Sequence, residues 1–166
     1  KVSIRVEEHW SMAGRRSTDK TNTSDKIGEV SALKLHAQSS DDVEMLSALL
    51  QDALISGADM AYDKAEKTFM LVANRYCWDL PDTGQQMRCL CGVKFGNVGA
   101  VRTRGMTADK TQFYNLLAIE YDKTAQHIVL IFSGGGGIQL EASSIMIIVR
   151  DLAEPHPSFA RPDHSE

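Results

Sequence analysis

Arg75 and Trp78 sit in Asn74-Arg75-Tyr76-Cys77-Trp78, the densest polar-aromatic stretch of the chain. Trp, Tyr and Arg are the side chains that dominate binding hot spots. Arg102 and Arg104 lie two residues apart in a stretch of strand character beside Gly105, so both point to one face. The three arginines together suit an anion-binding surface, because guanidinium forks match carboxylates and phosphates. The competing reading is structural: Trp78 packs at a strand end, Arg75 pairs with a carboxylate, and Asp52 supplies a counter-charge to one of the arginines. A run of four glycines, Gly134, Gly135, Gly136 and Gly137, follows Phe132-Ser133. Glycine-rich loops hold phosphate when they open a helix and bring backbone N–H groups together. Here Ile138-Gln139-Leu140-Glu141 reads as a strand and no Lys-Ser/Thr follows, which points to a flexible hairpin instead.

Cysteines are the remaining source of chemistry. Cys77, Cys89 and Cys91 with a histidine would make a zinc ligand set in number, but Cys-x-Cys inside an apolar strand is poor ligand spacing. Free cysteines are among the most buried residues, and nothing in the sequence brings one to His36 or His127. There is no catalytic carboxylate pair, Ser-His-Asp order or His-Glu-x-x-His pattern. The expectation is a protein without catalytic residues, metal or cofactor.

Charge narrows the partners. Residues 1–32 hold six Lys/Arg and five Asp/Glu, a net of +1, whereas residues 33–166 hold 12 and 17, a net of −5. A body of that sign argues against general nucleic-acid binding and against electrostatic docking on anionic membranes. No apolar run reaches the roughly 20 residues of a membrane-spanning helix, Lys1–Trp10 has no apolar signal core, and three cysteines do not make a disulfide framework. A reducing, cytoplasmic setting follows. The chain does not begin with Met, and Met12 is an alternative start that would leave residues 1–11 outside the native protein.

These residues need elements to position them. Ser11–Ser31 is rich in Ser, Thr, Asp and Lys and poor in large apolar residues, so residues 1–32 read as a disordered arm. Leu33–Ala37 alternates like a half-buried strand. Ser39 and Ser40 are N-cap candidates, Asp41, Asp42 and Glu44 occupy a first turn, and Val43, Leu46, Leu50, Ala53 and Leu54 fall at helical spacing, which predicts a helix over about 41–55 stopped near Gly57. The period then changes to two, predicting strands over 58–63, 67–78, 87–95, 97–104, 116–121, 127–132 and 138–141, with loops at 80–86 and 105–110. Ile145, Ile148, Val149 and Leu152 predict a closing helix over about 143–153, ended by Pro155 and Pro157. The expected fold is therefore α+β: an N-terminal strand and helix, then about seven mostly antiparallel strands forming a curled sheet or partial barrel, closed by a C-terminal helix. The element order is like that of pleckstrin-homology domains, and by itself implies no lipid binding. One domain spans 33–154, with a loose tail over 155–166.

Several blocks in combination resemble one family: Leu33-x-Leu35-x-Ala37, Leu50-Gln51-Asp52-Ala53, Asn74-Arg75-Tyr76-x-Trp78, Val101-x-x-Arg104-Gly105-Met106, Leu116-Leu117-Ala118-Ile119 and Phe132-Ser133-Gly134-Gly135-Gly136. The chain is similar over about Leu33–Leu152 to small bacterial proteins grouped as a domain of unknown function, number twenty-nine forty-eight, with Tyr76, Met106 and Gly137 as mild departures. The resemblance implies a bacterial cytoplasmic protein and carries over no catalytic residue. The functional expectation is a non-enzymatic binding or interaction module whose partner is a protein or a small anionic ligand. Arg75, Trp78, Arg102, Arg104 and Gly134–Gly137 are the candidate ligand residues. The alternative is a binder of, or enzyme acting on, a phosphate- or carboxylate-bearing metabolite, and a homodimer through an exposed strand edge is a third arrangement.

Overall fold

In the computed structural model the structure describes residues 32–81 and 84–158; the expected N-terminal arm lies outside the described residues, as does most of the expected tail. The chain runs through β1 (Lys34–Ala37), α1 (Ser40–Leu50), β2 (Leu54–Asp63), β3 (Thr68–Tyr76), β4 (Met87–Phe95), β5 (Val98–Arg104), β6 (Phe113–Asp122), β7 (His127–Phe132), β8 (Gly137–Ala142), β9 (Ile147–Asp151) and β10 (His156–Pro157). A single helical turn, Ser133–Gly135, joins β7 to β8.

Helix α1 starts where the capping chemistry puts it. Ser39 Oγ accepts from the Asp42 amide at 3.2 Å, and Asp42 Oδ2 accepts from the Gln38 and Ser39 amides at 2.9 Å each. This closed capping box uses Asp in place of the usual Glu. Those hydrogen bonds also hold the Asp42 carboxyl below its ordinary range, the Gln38 amide being the first cause. Val43, Leu46 and Leu50 form the buried stripe, and Ser47 Oγ accepts from the Ile119 amide at 2.8 Å, pinning the helix to β6. The helix ends five residues earlier than its spacing predicts. Asp52 takes a left-handed conformation (φ 62°), the Asp52 amide donates to Leu116 O at 2.8 Å, and Leu116 N returns the bond to Ala53 O at 2.9 Å. Asp is short enough to tolerate that conformation, so it stops the helix without glycine, and pairing with β6 recruits the next residues into β2.

The strands form one path, β1-β9-β4-β3-β2-β6-β7-β8-β5, all antiparallel, with β10 continuing beside β4. The path is not closed into a barrel: β1 and β5 are its two ends. Strand β2 is the bend. Leu54 and Ile55 lie between β3 and β6, and Ser56 pairs with β6 alone; the register with β3 breaks between Ile55 and Met60, and Met60–Asp63 pairs with β3 alone. The core fills the concave side, with Phe69, Leu71, Val93 and Phe95 facing Leu116, Ile128, Leu130, Phe132, Ile138 and Leu140, and α1 capping one end. Each such side chain contributes about 1.5–3 kcal/mol by leaving water.

The expected C-terminal helix is not present, and the pleckstrin-homology-like order falls with it. Ser143–Met146 is a connection, and Ile147–Asp151 is a strand held between β1 and β4. Ile145, Ile148, Val149 and Leu152 do fall at helical spacing, but Ile147 and Val149 also alternate with Ile148 and Arg150. Three consecutive β-branched residues fit a pleated, two-sided pairing better than a helix. The only helix of more than one turn among the described residues is α1, and none is long and apolar enough to cross a membrane.

Candidate functional site

The candidate ligand residues separate into two regions. Arg75, at the end of β3, is 1% exposed. Its Nε and Nη2 make a two-pronged contact with Asp151 (3.0 and 2.9 Å), while Nη1 donates to Asp79 Oδ1 at 2.7 Å and to Tyr76 O at 3.1 Å. Asp151 Oδ2 also accepts from the Leu33 amide at 3.0 Å. All of the Arg75 fork is thus used inside the protein, tying β3, β9 and the start of β1 together. Burial opposes the Arg75 charge, but the bonds and charges of Asp151 and Asp79 outweigh it and hold the guanidinium firmly protonated. Burial likewise pushes the Asp79 carboxyl up, and the Arg75 hydrogen bond more than reverses this, leaving it below its ordinary range.

Three thiols surround this pair. Cys89 is the cross-strand partner of Arg75, Cys91 is that of Asp151, and the Cys77 amide donates to Met87 O at 3.0 Å. Burial is the leading cause in each: it raises Cys77 and Cys91 and pushes Cys89 up to about 12. Cys89 Sγ donates to Ala153 O at 2.8 Å. Such thiols are protonated and poorly nucleophilic at neutral pH. Among the described residues no three of His, Cys, Asp or Glu gather in a way that would hold a metal ion. Trp78 lies on the outer side of this end, 51% exposed, with its ring 5.2 Å from Tyr76 and its Nε1 donating to Gln51 O at 3.4 Å. Arg88 covers the other part of Tyr76, 3.8 Å above the ring, and donates to Asn74 O at 2.7 Å.

Arg102, Arg104 and the glycines do come together, on the opposite half of the sheet. Arg102 stands across from Gln139, and Arg104 across from Gly137. Arg102 is exposed and pairs with Glu141 at 2.8 Å; Arg104 is exposed and has no ion pair among the described residues. Gly134 (φ 73°) and Gly135 (φ 81°) turn the chain from β7 into β8. Their neighbour Gly105 (φ 62°) sits so close to Gly135 that a Cβ on it would stand 2.9 Å from Gly135 O. The glycines let two backbones touch, and this contact sets the path of the following residue, Met106.

Met106 belongs to the feature that motif reading does not find, because no motif marks it. Where β2 bends away from β6, a seam opens between Met60–Tyr62 and the free edge of β5. It holds a cleft of about 390 Å³. Its apolar walls are Met60, Phe69, Met106, Tyr114 and Ile138, and its rim carries Thr103, Thr107, Asp109 and Lys110. Tyr62 closes one end by donating to Val98 O (3.0 Å) and Gly99 O (2.9 Å). The loop 105–112 closes the other. Thr107 N donates to Tyr114 Oη at 3.2 Å, Thr107 Oγ1 donates to Gln112 Oε1 at 3.1 Å, and Asp109 Oδ1 accepts from both Thr111 Oγ1 (2.7 Å) and Thr111 N (2.9 Å). Gly57 N donates to Gln112 O at 2.9 Å, and a Cβ at Gly57 would lie in ordinary contact with the Lys110 Cα, 3.4 Å away. The walls are therefore built before any ligand arrives, which is the usual condition of a small-molecule site. A second hollow of about 300 Å³ lies among the hairpin turns near Lys67, Asn97 and Gln126, and its lining is more polar.

The fold and cleft define a small α+β domain built on an open antiparallel sheet with a preformed apolar recess. The chain belongs to the family described as Protein of unknown function (DUF2948), whose model matches residues 33–164. Searches of curated proteins and of solved structures gave no match.

Proposed function

We propose that this protein is a non-enzymatic binding module of the bacterial cytoplasm, and that the seam cleft takes a small ligand with an apolar body and one polar end. The observation that carries the reading is the cleft itself. Its volume falls in the range of ligand pockets, its methionines and aromatic rings offer adaptable apolar walls, and Thr103, Thr107 and Lys110 place polar groups only at the mouth. Asp109 and Lys110 are both exposed on the rim, and no His, Cys or Ser joins them in the lining, so binding is the simpler use of it.

The test is a fragment screen by amide-resolved NMR, using small aromatic carboxylates, amides and alcohols. Fragments are expected to shift the amides of Met60, Met106 and Tyr114, and Thr103→Trp, which fills the mouth, is expected to weaken the best fragment at least tenfold. Fragments that leave those amides still would overturn the reading. Arg104 beside the open backbone of Gly134 and Gly135 favours a second reading, a small phosphate- or carboxylate-bearing metabolite. Titration with inorganic phosphate tests it directly: shifts confined to Arg104 and Gly134–Gly137, abolished by Arg104→Ala, would support it.

A further inference from the structure

We propose that the convex face of β1, β9 and β4 docks an acidic protein segment bearing apolar side chains. The register puts the relevant residues on one side. Lys34 stands opposite Arg150, which stands opposite Gly92; His36 stands opposite Ile148, which stands opposite Lys94; Lys94 in turn faces Met70. Partners across antiparallel strands share a face, so Lys34, His36, Lys94 and Arg150 form one patch about three strands wide, with rows about 4.8 Å apart.

Four features point to a partner. First, the patch has no counter-charge: the convex positions of β1, β9 and β4 run Lys34, His36, Ile148, Arg150, Arg88, Leu90, Gly92 and Lys94, and those of β3 are Thr68, Met70, Val72, Asn74 and Tyr76, without a carboxylate. Second, the side chains of Lys34, His36, Lys94 and Arg150 make no hydrogen bond or ion pair among the described residues, whereas those of Arg75, Arg88 and Arg102 all do. Third, the body of the chain is net acidic, so this sign is concentrated here against the average. Fourth, protection of a sheet edge explains lysine on β1, which ends the path, but not Lys94 and Arg150, which lie on interior strands.

The choice of an acidic protein segment over other anions also comes from the face. Ile148, Met70 and Leu90 are interleaved with the charges and give apolar side chains something to cover. The patch itself carries no exposed aromatic ring on which bases could stack, and a net acidic body disfavours a long polyanion.

The experiment is fluorescence anisotropy with a labelled octapeptide of alternating Glu and Leu, against a Lys-Leu octapeptide as control. The Glu-Leu peptide is expected to bind, the control not. Lys94→Glu with Arg150→Glu is expected to weaken binding at least tenfold with the melting temperature kept, and Lys94→Arg to retain it. Should the double variant melt early, Lys34→Glu at the exposed edge repeats the test, with at least a threefold loss expected. Binding unchanged by these reversals would overturn the proposal. So would an absence of peptide binding, including the case where the face takes a thymidine oligonucleotide or phosphatidylserine vesicles instead. Neither result touches the cleft, which lies at the seam between β2 and β5.

Discussion

The Arg75 end and the seam cleft are built from opposite materials and are left in opposite states. The first holds an arginine, two aspartates and three thiols, the residue types that draw attention in a sequence, and it uses them on each other. The second holds methionines, tyrosines and threonines, and leaves them a space. A buried charge must be satisfied internally or it costs several kcal/mol, so dense polar chemistry near a core tends to be consumed by the fold. An apolar recess carries no such obligation and remains available. In this molecule the conspicuous residues hold the sheet together, and the inconspicuous ones line a recess with apolar walls and a hydrogen-bonded rim.

The sharpest way to break that contrast is to remove Arg75. Arg75→Met leaves the Asp151 carboxylate buried opposite an apolar side chain and is expected to lose about 3–5 kcal/mol, the cost typical of stripping one partner from a buried ion pair. Chemical denaturation measures it. Arg75→Met combined with Asp151→Leu should lose clearly less than the two single changes added together, because the pair is removed as a unit. A single variant as stable as the parent would mean that this end is not structural, and would return Arg75 to the list of ligand residues.

The next largest effect tests how the glycines serve the cleft. Gly105→Ala combines an unfavourable left-handed backbone with a contact to the Gly135 backbone, and is expected to cost about 3 kcal/mol. Gly134→Ala shares the backbone conformation but meets open space, so about 1–2 kcal/mol is expected. The informative part is the split in function. Gly105→Ala displaces Met106 and should weaken fragment binding in the cleft, while Gly134→Ala should leave it unchanged. Equal loss of binding in both would favour the glycine run itself as the ligand site.

Much of this was legible in the sequence and some was not, for identifiable reasons. The strands over 87–95 and 127–132 have the bounds expected of them, because alternation and β-branching agree there. The start of α1 was readable from Ser39 and Asp42, while its end was hidden, since Asp52 performs a stop usually left to glycine. The last strand reads as a helix because Ile145, Ile148, Val149 and Leu152 fall at helical spacing, while Ile147 and Val149 alternate with Ile148 and Arg150 at strand spacing in the same stretch, and only the long-range partners β1 and β4 decide between them. Of the candidate site, Arg102, Arg104 and the glycines could be grouped from sequence because they end adjacent strands of one hairpin-rich half. The cleft could not, because it arises where β2 changes partners, an event encoded in no single residue.

Acid offers a milder probe of the closed end. The Asp79 carboxyl is held below its ordinary value in the folded protein, so its contribution is present above the unfolded value, about pH 3.9, and is lost as pH falls through the folded one. Melting temperature should therefore be flat from pH 7 to about 4.5 in its Asp79-dependent part and decline below pH 4, and Asp79→Asn should lessen that decline. An Asp79 contribution lost already between pH 6 and 5 would contradict the geometry.

The smallest effect expected is on the thiols, and it is the one that separates an inert closed end from a reactive one. Burial raises all three, and Asp151 adds to the rise at Cys89, so the folded protein disfavours each thiolate. With folded values above unfolded ones, their stabilisation is complete below the ordinary thiol value of about 8.5 and drains away as pH rises beyond it. Native protein treated with iodoacetamide at pH 8 should label half-buried Cys77 first and buried Cys89 and Cys91 far more slowly, with all three labelled alike in urea. Rapid labelling of Cys89 would show that the Arg75 charge, 2.9 Å from Asp151 and beside the thiol, is not fully spent on its carboxylates. The region would then hold a nucleophile that the contrast with the cleft denies it.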